Sequence, residues 1–239
     1  MARILLPLGL EVCLLLAPVP PLQAATPPAP AVEAQIIYLD GVVSGGKQSG
    51  RVAPGLVALA AELQQQQPGS QITVFQGMSQ HSKYVLLQQL NGATSSGLYG
   101  ASRQWSETHR FNADPKNPRV RAFVICSALL LGAPSLRVDP SAFVRIRHVD
   151  ALPQNKSLNP PLFSQLESQL QRFKGFQGMQ VWTSKARPNH WTVIDVWTRP
   201  EDSDRADADA SINRILDALN DNAAAPNNQD DYRLVHQLK

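Results

Sequence analysis

Cysteine is almost missing from this sequence, with two residues in 239, Cys13 and Cys126. That excludes a disulfide scaffold, so stability has to come from a packed core. Charged residues make up only 17% of the chain and no run of Lys and Arg is long enough to track phosphates, which argues against a nucleic-acid partner at a net charge of +3. The five histidines, at positions 81, 109, 148, 190 and 236, make no His-x-x-x-His or Glu-x-x-His pair and have no cysteine beside them, so no metal site is expected. No Gly-x-Ser-x-Gly elbow is present, and GGKQSG lacks the spacing of a phosphate-binding loop. The 43% hydrophobic content is that of an ordinary globular chain.

The N-terminus reads as an address. Arg3 precedes an apolar run over 4–16, and Leu22-Gln23-Ala24 ends on a small residue, the pattern of a secretory signal (1–24) cleaved near Ala24. The run is short and broken by Glu11 and prolines, so a membrane anchor is disfavoured and a periplasmic location is expected. Residues 25–34, ATPPAPAVEA, read as an extended Pro/Ala linker.

From Gln35 the pattern alternates between strand and helix. QIIYLD reads as a strand. Pro54 opens a helix with Leu56, Leu59, Ala60 and Leu63 on one face, and ITVF and KYVLLQQL read as strands. A weak helix is expected over 98–108, carrying Trp105, and VRAFVICSALLL reads as a buried strand. The order then repeats. FVRIRHV is a strand, Pro160-Pro161 opens a helix with Leu162, Leu166, Leu170 and Phe173 at spacings of four and three, and residues 178–197 form a hairpin around Arg187-Pro188-Asn189. A helix over 207–219 with Ile212, Ile215, Leu216 and Leu219 on its stripe leads into DYRLVHQL.

Both halves, 35–131 and 143–239 with a linker at 132–142, thus read as βαββαβ units of ferredoxin-like type. Aligning them without gaps pairs Phe75 with Trp182 and Tyr84 with Trp191. Each unit alone would leave one sheet face wet, and packing the two together removes that exposure. The expected fold class is therefore α+β, an intramolecular, pseudo-dimeric α+β barrel that needs no oligomer. In WTVIDVW, Trp191, Val193, Asp195 and Trp197 share one face, and Thr192, Ile194 and Val196 the other. His190, at the hairpin mouth, is expected to be solvated, and His148 and His236 half-buried.

On the helix over 162–173, the GFQGMQVW segment, the NHWTVIDVW strand and the acidic helix after it, residues 143–238 resemble the antibiotic biosynthesis monooxygenase family of dimeric α+β barrels. The resemblance implies oxidation of a quinol or polycyclic aromatic phenol by dioxygen, without metal, flavin or other cofactor, in a cavity between sheet and helices. Two departures stand out. The helix segment DADASINRIL lacks the family's usual His, and Asp195 replaces the glutamate before the strand-ending Trp. Such chemistry needs a base that favours the phenolate and an aromatic cage. Asp195 is the candidate base, with Trp182, Trp191, Trp197, Arg145 and Arg147 as candidate substrate-binding groups. In the competing reading, Asp195 forms a structural ion pair with Arg145 or Arg147, and the protein is a non-catalytic binding or structural member of the same fold.

Overall fold

A computed structural model describes residues 32–40, 54–90, 121–134 and 138–238. Along the chain lie β1 (Glu33–Asp40), α1 (Pro54–Gln66), β2 (Gln71–Gly77), β3 (Tyr84–Leu90), β4 (Arg121–Gly132) and β5 (Phe143–Asp150). After a 3-10 turn (Pro153–Leu158) come α2 (Asn159–Leu170), β6 (Phe176–Ser184), β7 (His190–Trp197), α3 (Pro200–Asp207), α4 (Ala210–Asp221) and β8 (Asn228–Leu238). The expected signal segment 1–24, the GGKQSG segment and the expected weak helix with Trp105 lie outside the described residues.

The strands close into one barrel in the order β1-β3-β2-β8-β5-β7-β6-β4. The first half supplies β4-β1-β3-β2 and the second β8-β5-β7-β6, the expected pseudo-dimeric arrangement within a single chain. Two antiparallel seams join the halves, β2 with β8 and β4 with β6. Each seam carries a register shift, at Val74/Phe75 and Leu129/Leu131, the kind of bulge that bends a sheet toward closure. Gly132 ends the second seam at φ +100, and a Cβ there would overlap the Met179 carbonyl, so only glycine fits.

Period-2 alternation divides every strand between an inner and an outer face. The barrel interior is apolar, built from Ile36, Phe75, Leu87, Val144, Ile146, Trp182, Ile194 and Val196 among others. Outside the first half, Leu56, Leu59, Ala60 and Leu63 of α1 pack on Ile37, Ile72, Val74, Tyr84 and Leu86. Outside the second half, α2 and α4 pack Phe163, Leu166, Leu170, Ile212, Ile215 and Leu219 against Val149, Met179, Val181, Trp191, Val193 and Trp197. The aligned pairs keep their faces: Phe75 and Trp182 point inward, Tyr84 and Trp191 outward.

Several elements differ from the sequence reading. β1 starts at Glu33, not Gln35, because the end of the expected linker pairs with β3 and β4 and Glu33 forms an ion pair with Lys185. In α2 Phe163 is buried together with Leu166 and Leu170, and Leu162 is only partly covered. The expected helix over 207–219 is two helices. Pro200 with Glu201 and Asp202 begins α3, and Asp209 interrupts the chain as N-cap of α4, accepting from the backbone N–H of Ser211 at 2.8 Å and of Ile212 at 3.3 Å. His190 is buried, not solvated, because it sits on the barrel's inner face and its ring stacks on His148 at 5.7 Å.

The stacked histidines make the barrel sensitive to acid. Burial first, then the neighbouring His190, holds the pKa of His148 down at about 4, and burial and Arg187 lower that of His190. Tyr38 faces His148 at 5.1 Å and supplies no charge to offset a proton. The unfolded chain takes up that proton near pH 6.5 and the folded chain only near 4, so stability falls as pH drops through this window. The expected loss from His148 is at most about 3 kcal/mol. Urea unfolding of the parent and of His148→Phe at pH 7 and pH 4.5 checks this: the parent should lose more stability than the variant, and equal losses would remove His148 as the cause.

Candidate functional site

On the helix side of the second half, β5 carries Arg145, Arg147 and Val149, and β7 carries Trp191, Val193, Asp195 and Trp197. Arg145 lies directly opposite Asp195 on β7 and opposite Asp231 on β8, while Arg147 lies opposite Val193 and Gln229. Cross-strand neighbours on one face interact, so this register places two guanidinium groups within reach of several carboxylates. The partners sort diagonally. Arg147 pairs with Asp195, and Arg145 turns to Asp231, donating from Nε at 2.7 Å and from an Nη at 3.1 Å.

Asp195 has no solvent exposure, and both its oxygens are engaged. Oδ1 accepts from Arg147, and Oδ2 accepts the Trp197 indole N–H at 2.7 Å. Arg147 also donates to Asp207 at 2.8 Å and to Gln229 at 3.2 Å, and Arg145 donates to Asp207 and, at 3.1 Å, to Asp204. Asp207 is the last residue of α3, so the network fastens that helix to the sheet. Burial works against the charge on Arg145, but the carboxylates of Asp231, Asp207 and Asp204 outweigh it and hold its pKa above the ordinary value.

A pocket of about 140 Å³ lies next to the network, between the sheet and helices α2 and α4. Its apolar lining is Val149, Leu166, Val193, Leu216 and Leu219, and its polar lining is Arg147, Asn220, Asn227, Asn228 and Gln229. Of the candidate site residues, Arg147 alone lines this pocket. Asp195, Trp197 and Arg145 meet in the network behind it, and Trp191 packs edge-on against Phe163 of α2 at 5.5 Å. Trp182 lies apart, inside the barrel, where its indole N–H donates to Gln180 at 3.1 Å. Sequence reasoning missed Asp207, Asp231 and the pocket amides. Asp231 could have been found by setting the alternation of the last strand against RIR, whereas Asp207 needed the unrecognised helix α3. Among the described residues no group of three side chains could hold a metal ion, and no helix is long and apolar enough to cross a membrane.

Eight antiparallel strands in this order, with the helices packed outside, define the dimeric α+β barrel class with both halves in one chain. The chain is similar to a proposed monooxygenase of Lactobacillus acidophilus NCFM, at 12% identity and a TM-score of 0.58 over 88% of this chain and 97% of that one. It is similar to an anthrone oxidase-like protein at 10% identity and a TM-score of 0.58, covering 86% and 92% of the two chains. A ferredoxin-fold protein of Listeria monocytogenes 4b F2365, related to antibiotic biosynthesis monooxygenases, matches at 12% identity and a TM-score of 0.51 over 86% and 95%. No family model matches the sequence, and no curated protein does. The fold is therefore that of the antibiotic biosynthesis monooxygenase-related barrels, as the resemblance over 143–238 implied.

The network divides into a buried end and an exposed end, and their energies should differ. Trp197→Phe keeps a ring in place but removes the N–H donated to a buried carboxylate, which should cost about 1.5–3 kcal/mol. Asp204→Ala removes an ion pair whose carboxylate side chain is 66% exposed and should cost less than about 1 kcal/mol. Urea denaturation of the two variants checks the ranking, and the reverse order would contradict this geometry.

Proposed function

We propose that this protein is an exported small-molecule-binding barrel of monooxygenase-type fold, which holds an aromatic or quinone-like molecule in the pocket under α2 and α4. The arrangement of Asp195 carries this reading. A general base has to reach the proton it removes. Asp195 is fully buried behind Arg147, with both oxygens occupied, so its work is to hold the pocket wall. Among the described residues, no carboxylate, histidine or other base lines the pocket. Arg147 is the charged group a bound molecule meets. The export part of the reading rests on Arg3, the apolar run over 4–16 and Ala24.

Oxidation of the bound molecule by dioxygen is the second reading, supported by the fold shared with proposed monooxygenases and an anthrone oxidase-like protein. It requires a substrate that ionises without a protein base. Oxygen uptake by the purified, metal-free mature chain with hydroquinone or anthrone, in the presence of chelator, separates the two. The binding reading expects no uptake above autoxidation. Uptake that disappears in Asp195→Asn, with folding intact, would overturn it and restore Asp195 as the base.

A further inference from the structure

We infer that the pocket ligand is an uncharged, single-ring molecule carrying a hydrogen-bond acceptor for Arg147 and a second polar group for Asn227; this rests on the binding reading above. Size limits the ring system. A cavity of about 150 Å³ lined by Leu, Ile and Phe accommodates benzene, and this pocket, at about 140 Å³ with an apolar lining of Val149, Leu166, Val193, Leu216 and Leu219, encloses one ring.

Charge limits the ligand further. Arg147 is flanked by Asp195 and Asp207, and Arg145 behind it by Asp204, Asp207 and Asp231. Two guanidinium groups thus face four carboxylates, and an anion entering the pocket meets no net positive field. A cation would meet the Arg147 guanidinium in direct contact, with the carboxylates set behind it and, among the described residues, none of them lining the pocket. A neutral ligand remains.

Hydrogen-bond accounting gives the polar groups. A guanidinium has five N–H donors. Three of those on Arg147 go to Gln229, Asp195 and Asp207, which leaves two unengaged among the described residues. A carbonyl or hydroxyl oxygen satisfies them without displacing the network. Asn227, just before β8, also lines the pocket, and its Oδ1 is buried with no partner among the described residues, an arrangement that costs about 1–3 kcal/mol until a donor reaches it. A ligand hydroxyl is such a donor.

Calorimetric titration of the full mature chain under argon at pH 7 tests this with hydroquinone, naphthohydroquinone, anthrone and hydroxybenzoate. Hydroquinone should bind at least about tenfold more tightly than the other three. Asn227→Ala should weaken it by about five- to tenfold, and Leu216→Phe, which fills the pocket, should abolish binding. Tighter binding of anthrone or hydroxybenzoate, or hydroquinone binding indifferent to Leu216→Phe, would overturn the assigned ligand class and leave the binding reading standing. No binding by any of the four in a folded protein would overturn both.

Discussion

A carboxylate with no access to water has to be paired, and Asp195 on β7 is such a group. Its partners, Arg147 and Trp197, are themselves buried, so the three side chains define one another's positions. Arg147 hands the constraint on to Asp207, and Arg145 shares that same carboxylate while gripping Asp231. Strands β5, β7 and β8 and the end of α3 are thereby tied at one point. A pair of this kind adds little net stability over a well-packed apolar replacement, but its loss on one side alone is costly. Its value here is geometric, since it fixes which guanidinium faces the pocket and which carboxylate does not.

The barrel supplies the frame for that point. Because the two halves close on each other along β2–β8 and β4–β6, the inner faces of all strands form one dry core, and each half keeps its own outer core under its helices. Trp182 belongs to the first of these cores, Trp191 and Trp197 to the second half's outer one. Three tryptophans close in sequence therefore serve different faces, and the candidate pocket belongs to the helix side alone. The strand period separates them: residues 182 and 191 lie on opposite arms of one hairpin and point to opposite sides of the sheet.

Most of the fold was legible because the strands are long enough for period 2 to show and the turn residues between them are explicit. The hairpin of β6 and β7, the stripe of α1 and the pairing of Phe75 with Trp182 all followed from that. The errors fell where local pattern carries no signal. PEDSDRAD is too polar to show a helical stripe, so α3 was missed although Pro200 and the acidic turn marked its start. His190 read as solvated because a hairpin mouth is usually wet, whereas the β5–β7 register sets His148 diagonally beside it on the barrel's inner face. For Asp195 the choice between base and ion pair was open, since alternation places a residue on a face but not against a partner. The network shows the partner to be Arg147, not the directly opposite Arg145.

Asp195 and Arg147 form a coupled structural pair. A thermodynamic double-mutant cycle with Asp195→Asn, Arg147→Met and the double variant, read by urea unfolding at pH 7, measures that coupling. Each single change should cost several kcal/mol, and the double variant should recover much of that loss, for a coupling of about 3 kcal/mol. A coupling near zero, with additive losses, would contradict the pair and return Asp195 to the list of groups free to act on a ligand.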